Sequence, residues 1–447
     1  MKHQENKSRL SPSNRLIWAA ALAIPFETML YLNIALAPIC ILVTGILLLA
    51  VILDYFRSSE ELDKLEVRWP DITRMTQGKE YSFATPIRFP VKKSLRVAIE
   101  LPNSLGEPDS IKEIIPQDSN SFYEIDWQYA SSKRGQVIIK ELFIETDSKW
   151  SFWTVRKSFP VHMEFRIYPD LFQTKDKAAL AMIYKTQQGF HVQRYSGQGR
   201  EFEKLREYYP GDPFEDIHWK ASARKGELMT KTYQIESNQD IYVALDISRL
   251  SGRLCPEKEQ QLLEYFIQST LMLSIMAESQ NDAFGLITFH QKVDQFIKAK
   301  AGKQSSLVCK EALYNVSAQN SSSDFNELAQ YIRLNIRKRS LIIILACLDD
   351  PILCDQLSKS MQLLAGQHVI YVNGISPNAC QPGFQNEDLQ SSDEIYSDLA
   401  GHLNWNENDK IYKALSPFGV HAQTVHAPTL ATKILDQYIN VKQRQLI

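Results

Sequence analysis

The sequence lacks three features that would assign it to a common functional class. Its six cysteines include no CxxC pair, which argues against a zinc or dithiol redox site. Its 50 basic and 52 acidic residues give a formal net charge of −2, so no overall charge favours binding to nucleic acid. It has no GxxxxGK[ST] motif, because Gly302-Lys303 lacks both the upstream glycine and the following Ser or Thr. The sequence thus supplies no catalytic machinery for ATP.

An almost uncharged run near the N-terminus, Leu16 to Leu53, contains Glu27 as its single charged residue. One helix of that length would measure about 57 Å at about 1.5 Å per residue, whereas a bilayer core is about 30 Å thick. We therefore predict a transmembrane hairpin of two arms, Leu16 to Leu32 and Ile34 to Leu53, within a first segment of residues 1–57. The competing interpretation is a cleaved signal peptide, which would need a shorter apolar core, of about 7 to 15 residues, and a small-residue cleavage site.

Basic residues flank both arms and are missing from the turn between them. They are Lys2, Lys7, Arg9 and Arg15 before the first arm, and Arg57, Lys64 and Arg68 after the second. Since Lys and Arg concentrate on the cytoplasmic side of a membrane, both ends of the hairpin should face the cytoplasm. The apolar surroundings of the scattered cysteines also fit reduced, buried thiols in that compartment.

Residues 58–170 alternate between apolar and polar side chains with a period of two. The clearest runs are Leu95 to Leu101, Tyr123 to Tyr129 and Val161 to Ile167. With turn residues between them, they predict a small antiparallel β-sandwich that serves as a spacer or docking module. Its tryptophans could form a ligand-binding stripe, but core packing is the expected use. These tryptophans are Trp69, Trp127, Trp150 and Trp153.

Residues 171–239 form a connecting segment rich in charged and aromatic residues. Asp212-Pro213 has the form of a helix start, with Asp as the cap, and a short helix should follow through Trp219. Two readings of the charged residues remain open: a structural latch onto the next domain, or a surface that faces a partner. The residues concerned are Arg200, Glu201, Arg206, Asp212 and Arg224.

Residues 240–447 alternate apolar strands with helical patterns, which predicts a doubly wound α/β domain. The expected strands are Ile241 to Leu245, Ala283 to Phe289, Val293 to Ala299, Leu341 to Leu348, Val369 to Ile375 and Ala422 to His426. The expected helices are Glu257 to Glu278, Ser305 to Val316, Asp324 to Arg337, Ile352 to Ala365, Ile411 to Leu415 and Thr429 to Lys442. The polar stretch from Ser376 to Asp393 is expected to be a loop.

Two of these strands end in acidic residues, at the edge where an open α/β sheet places its site. Asp246 is followed by Ser248 and Ser251, and Asp349-Asp350 follows the longest strand. A serine run, Ser321 to Ser323, could reach the same edge. Such oxygen ligands would suit Mg²⁺, although no cofactor is established by the sequence. Asp and Ser after a strand are also ordinary turn and cap residues, so both readings stay open.

The chain resembles the bacterial family catalogued as domain of unknown function 58. The residues that carry the resemblance are Gly199-Arg200-Glu201-Phe202, Leu205-Arg206, Tyr208, Pro210-Gly211-Asp212 and Ile217-His218-Trp219-Lys220-Ala221-Ser222-Ala223-Arg224, with Asp246 following, and Arg134-Gly135 and Tyr438 to Lys442 elsewhere. The resemblance implies a membrane hairpin, a β-sandwich and a von Willebrand factor A-like domain. It also implies an inner-membrane protein that works with a MoxR-type AAA+ ATPase and its client proteins.

The same resemblance implies two groups of site residues and reveals two departures. Asp246, Ser248 and Asp349 are the positions for a metal, and Arg200, Glu201, Arg206, Asp212, Trp219 and Arg224 are those for a partner. The metal motif of the family's A-type domains is Asp-x-Ser-x-Ser, but Leu250 stands at its last position here and Ser251 comes one residue late. Glu215 stands where the family often has a basic residue.

Two functions from different classes follow from these residues. The first is a non-catalytic, membrane-anchored adaptor that binds other proteins and has no nucleic-acid partner. The second is a metal-dependent hydrolase, phosphatase-like, that uses Asp246 with Asp349 or Asp350. Hydrolysis would also need an acid or base near the metal, for which His218 and His290 are available. We expect the adaptor.

Overall fold

The computed structural model describes residues 9–30, 37–58, 65–89, 93–100, 111–115, 122–170, 179–183, 196–197, 201–234, 239–255, 260–302, 304–348, 351–364, 366–375, 391–444 and 446. The chain divides into two compact units, Met1–Pro169 and Asp170–Ile447. The first unit contains the N-terminal helices and a two-sheet β domain. The second contains a small three-stranded sheet and a larger α/β domain.

Two helices open the first unit after a short strand, β1 (Arg9–Pro12). They are α1 (Asn14–Leu30) and α2 (Ala37–Ser58). Both lie where the sequence predicted the arms of a hairpin, and the predicted turn near Asn33 is outside the described residues. Of the helices described, α2 has the length and apolarity to cross a membrane, over Ile41–Ser58. Its apolar side chains are mostly exposed, as they would be in a helix surrounded by lipid.

The β domain of the first unit consists of two sheets. Its strands are β2 (Glu66–Val67), β3 (Ile72–Thr76), β4 (Glu80–Arg88), β5 (Leu95–Ile99), β6 (Ile111–Ile114), β7 (Tyr123–Ala130), β8 (Gly135–Asp147) and β9 (Trp153–Tyr168). One sheet has the order β1-β9-β8-β5-β6, with β3 also paired to β9, and the other has the order β2-β4-β7. A single apolar core contains residues of both sheets, such as Trp127 and Phe165.

Two expectations for this domain need correction. The sandwich is not wholly antiparallel, because β3 runs parallel to the C-terminal half of β9. The long β9 can pair with β3 there and with β1 at its other end. Core packing holds for Trp127, which is buried, and in part for Trp69. It does not hold for Trp150, which is exposed, or for Trp153, whose indole N–H donates to the carbonyl of Val51 in α2.

The charged segment, which belongs to the second unit, contains a small antiparallel sheet. It has the order β10-β12-β11, from β10 (Ser196–Gly197), β11 (Glu201–Glu207) and β12 (Met229–Gln234). Between β11 and β12 lie a 3-10 turn, Phe214–Asp216, and the helix α3 (Trp219–Lys225). We refer to residues 201–234 as the signature module. The sequence predicted its helix but not its strands.

The α/β domain is built on a six-stranded sheet with the order β15-β14-β13-β16-β17-β18. The strands are β13 (Asp240–Asp246), β14 (Ala283–Phe289), β15 (Val293–Lys300), β16 (Leu341–Leu345), β17 (Val369–Ile375) and β18 (Val420–Val425). All neighbours pair in parallel except β14 and β15. Strands β14 and β16 are fully buried and β13 is buried after its first residue, as expected for strands covered on both faces.

Helices cover both faces of this sheet. They are α4 (Leu262–Ser279), α5 (Ser305–Leu313), α6 (Phe325–Asn335), α7 (Pro351–Gln362), α8 (Ser392–Leu415) and α9 (Leu430–Gln443). Ile241, Val243 and Leu245 pack with α4, α5 and α9, whereas Tyr242 and Ala244 pack with α6 and α7. A mostly parallel sheet with helices on both faces is the doubly wound arrangement that the sequence predicted.

One helix differs from its prediction. The pattern of apolar residues indicated a helix only from Ile411 to Leu415, but α8 begins at Ser392 and has 24 residues. Ser391 and Glu394 form a capping box there, which is a helix start signal. The rest of the predicted loop, residues 376–390, lies outside the described residues.

Candidate functional site

The first candidate site is the carboxyl end of β13, where Asp246 and Ser248 lie together. Both residues are buried. The Ser248 main-chain N–H donates to Asp246 Oδ1 at 2.9 Å, and its hydroxyl donates to Oδ2 at 3.1 Å. Burial raises the pKa of Asp246 from 3.8 to about 6, and the donor groups around the carboxylate, led by the Ser248 N–H, oppose that rise. Asp246 and Ser248 are thus brought together as predicted.

The loop from Ser317 to Ser323 packs beside this carboxylate. The Ser321 carbonyl accepts from the Arg249 N–H at 2.9 Å, and the Ser323 hydroxyl contributes to holding down the pKa of Asp246. The Ser321 hydroxyl instead lies 3.0 Å from His290 Nδ1. Of the serine run that the sequence offered to this edge, Ser323 is therefore the member next to Asp246.

The displaced serine of the metal motif does not face the site. The Ser251 hydroxyl donates to the main-chain carbonyl of Asp246 at 2.7 Å, and Ser251 is completely buried. Leu250, at the regular third position, is a buried apolar residue of the core. The one-residue shift thus converts a possible ligand into a structural hydrogen bond.

The described residues do not form a Mg²⁺ site by themselves. They provide one carboxylate, Asp246, with the hydroxyls of Ser248 and Ser323 near it. No group of three or more His, Cys, Asp or Glu side chains in the described ranges could hold a metal ion. Mg²⁺ favours six oxygen ligands, with carboxylates prominent among the protein ligands. Asp349 and Asp350, the other predicted carboxylates, lie outside the described residues.

The second candidate site is the signature module, where Arg206 and Asp212 form an ion pair. Arg206 Nη2 lies 2.7 Å from Asp212 Oδ1, and the Tyr209 N–H donates to Asp212 Oδ2 at 3.0 Å. These contacts lower the pKa of Asp212 and raise that of Arg206. Gly211 adopts a φ of +113° in the same turn, a conformation that favours glycine. Asp212 therefore closes this turn; it is not the helix cap predicted from the sequence.

His218 and Ser222 attach α3 to the strand β12. His218 Nδ1 accepts from the Ala221 N–H at 3.0 Å and so caps the helix. The Ser222 hydroxyl donates to the His218 carbonyl at 3.1 Å and accepts from the Met229 N–H at 2.9 Å. Both residues thus have structural contacts, and His218 serves as the helix cap.

Three large aromatic side chains of the signature module are exposed. Tyr209 is 64% exposed, Phe214 is 73% exposed and Trp219 is 66% exposed. Leu228 is also exposed, and the Arg206 guanidinium lies 5.7 Å from the centre of the Tyr209 ring. Several exposed apolar side chains on one small module can mark an interaction site, and Trp and Tyr are enriched among residues that dominate binding energy. We call Tyr209, Phe214, Trp219 and Leu228 the aromatic surface.

The partner residues predicted from the sequence have different surroundings. Arg206 and Asp212 bind each other, whereas Trp219 and Arg224 are exposed on α3. Glu201 begins β11, and its side chain is not described, while Arg200 lies outside the described residues. Tyr209, Phe214 and Leu228 were missed as candidate residues. The density of aromatic residues between two charged runs was the available signal, but it does not tell an exposed ring from a buried one.

Comparisons with known proteins agree with the resemblance stated from the motifs. The profile of the family described as Protein of unknown function DUF58 matches residues 204–378. Comparison with curated proteins finds no match.

Several solved structures are similar to parts of this chain. The conserved hypothetical protein BatB from Bacteroides thetaiotaomicron is 16% identical, with 46% of this chain and 99% of that chain covered and a TM-score of 0.31. The VWA domain of SpRpn10 is 13% identical, with 44% and 94% covered and a TM-score of 0.28. An uncharacterized membrane spanning protein from Vibrio fischeri is 15% identical, with 45% and 98% covered and a TM-score of 0.17.

Proposed function

We propose that this chain, a DUF58 protein over residues 204–378, is a membrane-anchored adaptor that binds another protein through its aromatic surface. In this proposal the α/β domain is of the von Willebrand factor A type and catalyses no reaction. The partner is a MoxR-type AAA+ ATPase or one of its client proteins, as the family resemblance implies. The exposure of Tyr209, Phe214 and Trp219 is the observation that carries the proposal.

The structural contacts of the signature module support this role. Its turn and its helix are held by internal bonds, the Arg206–Asp212 pair and the Ser222 hydroxyl. A module fixed in this way can present its rings without a large loss of conformational freedom on binding. Arg206 and Asp212 make a contact within the module itself and not with the next domain, and in this proposal Trp219 and Arg224 belong to the partner-facing side.

The membrane anchor in this proposal is the predicted hairpin of α1 and α2. Its support is the apolar, exposed segment Ile41–Ser58 of α2. The basic residues at both ends support a cytoplasmic position of the soluble parts at the bacterial inner membrane in this proposal.

Binding to a purified MoxR-type AAA+ ATPase tests the adaptor. The variant Phe214→Ala/Trp219→Ala should reduce capture of the ATPase by at least tenfold, as expected when two central aromatic side chains are lost. The matched control is Leu334→Ala, which removes an equally exposed apolar side chain from α6. Equal capture by wild type and the double variant, with both chains folded, would contradict the aromatic surface as the binding site.

The alternative function is a metal-dependent hydrolase based on Asp246 with Asp349 or Asp350. The His290–Ser321 contact of 3.0 Å, in the loops beside Asp246, is the observation that favours it. Magnesium titration of wild type and Asp246→Ala separates the two functions. Stoichiometric Mg²⁺ binding together with turnover of a phosphate ester would establish the enzyme, and its absence in wild type would leave the adaptor.

A further inference from the structure

The turn between β8 and β9 presents a short tip made of Lys149, Trp150, Ser151 and Phe152. The turn is closed by two main-chain bonds, from the Ser148 N–H to the Trp153 carbonyl at 2.7 Å and from the Ser151 N–H to the Ser148 carbonyl at 3.0 Å. Lys149 is exposed, and Trp150 is 45% exposed. A tryptophan at the tip of a closed turn has no packing role in the core of the sandwich.

This turn is bonded directly to the end of α2. The buried carboxylate of Asp54 accepts from the Ser148 hydroxyl at 2.5 Å and from the Trp150 N–H at 3.2 Å. The Trp153 indole N–H donates to the Val51 carbonyl at 3.0 Å. Because a bond to a carboxylate is stronger than one between neutral groups, Asp54 holds the turn firmly against the helix.

The same turn also receives the start of α1. The Ser13 N–H donates to the Phe152 carbonyl at 2.9 Å, and the Ser13 hydroxyl donates to the Ser151 carbonyl. Strand β1 ends at Pro12 and α1 begins at Asn14, so a single residue separates the sheet from the helix. Both N-terminal helices therefore meet the β-sandwich at one turn.

The position of these contacts along α2 fixes the depth of the turn. Val51 and Asp54 lie inside the apolar segment Ile41–Ser58. At about 1.5 Å of rise per residue, Val51 is about 9 Å along the helix from Arg57. A turn bonded at Val51 and Asp54 thus lies beside the last two helical turns of the apolar segment, next to its C-terminal end.

The side chains around the turn have the chemistry of a membrane interface. Exposed aromatic residues combine there with exposed basic ones, a composition typical of the headgroup region, where amphipathic rings and cations are favoured. The residues are Trp18, Tyr55, Phe56 and Trp150, with Arg15, Arg57 and Lys149.

We infer that the β8–β9 turn is a lipid-binding element, which inserts Trp150 into the interface of a phospholipid bilayer while Lys149 contacts the headgroups. The inference rests on the proposed membrane anchor and adds a second point of contact to it. The sandwich is then held at the bilayer surface and does not hang from a flexible linker.

Fluorescence quenching by brominated lipid tests this inference on the full chain. The protein is reconstituted into vesicles of phosphatidylcholine and phosphatidylglycerol, with bromine placed near the top of the acyl chains. A Trp18→Phe background removes the exposed tryptophan of α1. In that background we expect quenching, and the added change Trp150→Phe should remove most of it. The added change Trp127→Phe is the control, because that ring is buried in the sandwich core and lipid cannot reach it.

Resistance of the chain to alkaline carbonate extraction distinguishes the two proposals. A chain that stays in the membrane but shows the same quenching with and without Trp150 overturns the lipid-binding turn and leaves the anchor. Extraction of the chain by carbonate would overturn the membrane anchor itself. Asp54→Ala gives a second check, since it should leave the chain in the membrane and reduce the quenching that depends on Trp150.

Discussion

The ammonium group of Lys442 lies 2.6 Å from Asp282 Oδ2, and the carboxylate is completely buried. The Tyr438 hydroxyl also donates to Asp282, and the Gln239 N–H donates to the other carboxylate oxygen at 3.1 Å. The last helix, α9, is thereby attached to the residue just before β14. Tyr438 and Lys442 thus have a structural role, in holding α9 against the sheet.

Replacing Lys442 should strongly destabilise the α/β domain. Lys442→Met leaves Asp282 buried without its cation, and loss of one partner of a buried pair costs about 3 to 5 kcal/mol. The midpoint of urea unfolding, followed by the reaction of a thiol reagent with the buried cysteines of this domain, measures the loss. The control is Lys338→Met, whose partner Asp240 is closer to the surface, with an expected change below about 1 kcal/mol. Equal losses would show that Asp282 does not need the cation.

The Ser222 hydroxyl is predicted to hold the signature module together. Ser222→Ala leaves the Met229 N–H without its acceptor, and a buried unsatisfied donor costs about 1 to 3 kcal/mol. Faster hydrogen exchange of the β12 amides should follow, together with weaker binding of the partner. Lys220→Ala, an exposed change on the same helix, should leave exchange unchanged. Unaltered β12 exchange in Ser222→Ala would show that α3 is attached by other contacts.

Asp246 should make the α/β domain less stable as the pH rises. Its folded pKa of about 6 lies above the ordinary value of 3.8, so the folded state holds this proton more tightly than the unfolded state. Stability from this group is present below pH 4 and is lost as the pH rises through 6. The difference of about two pKa units corresponds to about 3 kcal/mol.

The variant Asp246→Asn measures this effect, because it removes the titrating group and keeps the shape of the side chain. In the presence of a chelator, wild type and variant should differ least near pH 4, and the variant should gain relative stability up to pH 7. Unfolding midpoints at a series of pH values provide the comparison. A constant difference across that range would contradict the raised pKa.

The main domain was predictable because its strands are short apolar runs with helical patterns between them. Successive side chains of β13 point to opposite faces of the sheet, as in any strand, so Val243 packs on one face and Ala244 on the other. The contact of Asp246 with Ser248 is also local, two residues apart. Local patterns of this kind are what a single sequence reveals best.

Contacts between distant residues could not be predicted in this way. Strand β11 pairs with β12 across more than 20 residues of turn and helix, and its charged sequence shows no clean alternation. Trp153 was expected in the core because tryptophan is usually buried. Its indole N–H instead donates a hydrogen bond to a main-chain carbonyl of α2. The direction of the Ser251 hydroxyl likewise depends on the folded loop, not on motif spacing alone.

The orientation of the chain in the membrane gives the last prediction. A reporter cysteine at Asn33 lies in the predicted turn between the arms, and one at Asn440 lies on an exposed position of α9. Because basic residues flank both arms, a membrane-impermeant thiol reagent should label intact cells at position 33 and not at position 440. Labelling at both positions after permeabilisation serves as the control. Four native cysteines, Cys255, Cys309, Cys347 and Cys354, are buried, so their background labelling should be low. Labelling of Asn440→Cys in intact cells would contradict the predicted topology. It would mean that the aromatic surface lies outside the compartment that holds an AAA+ ATPase.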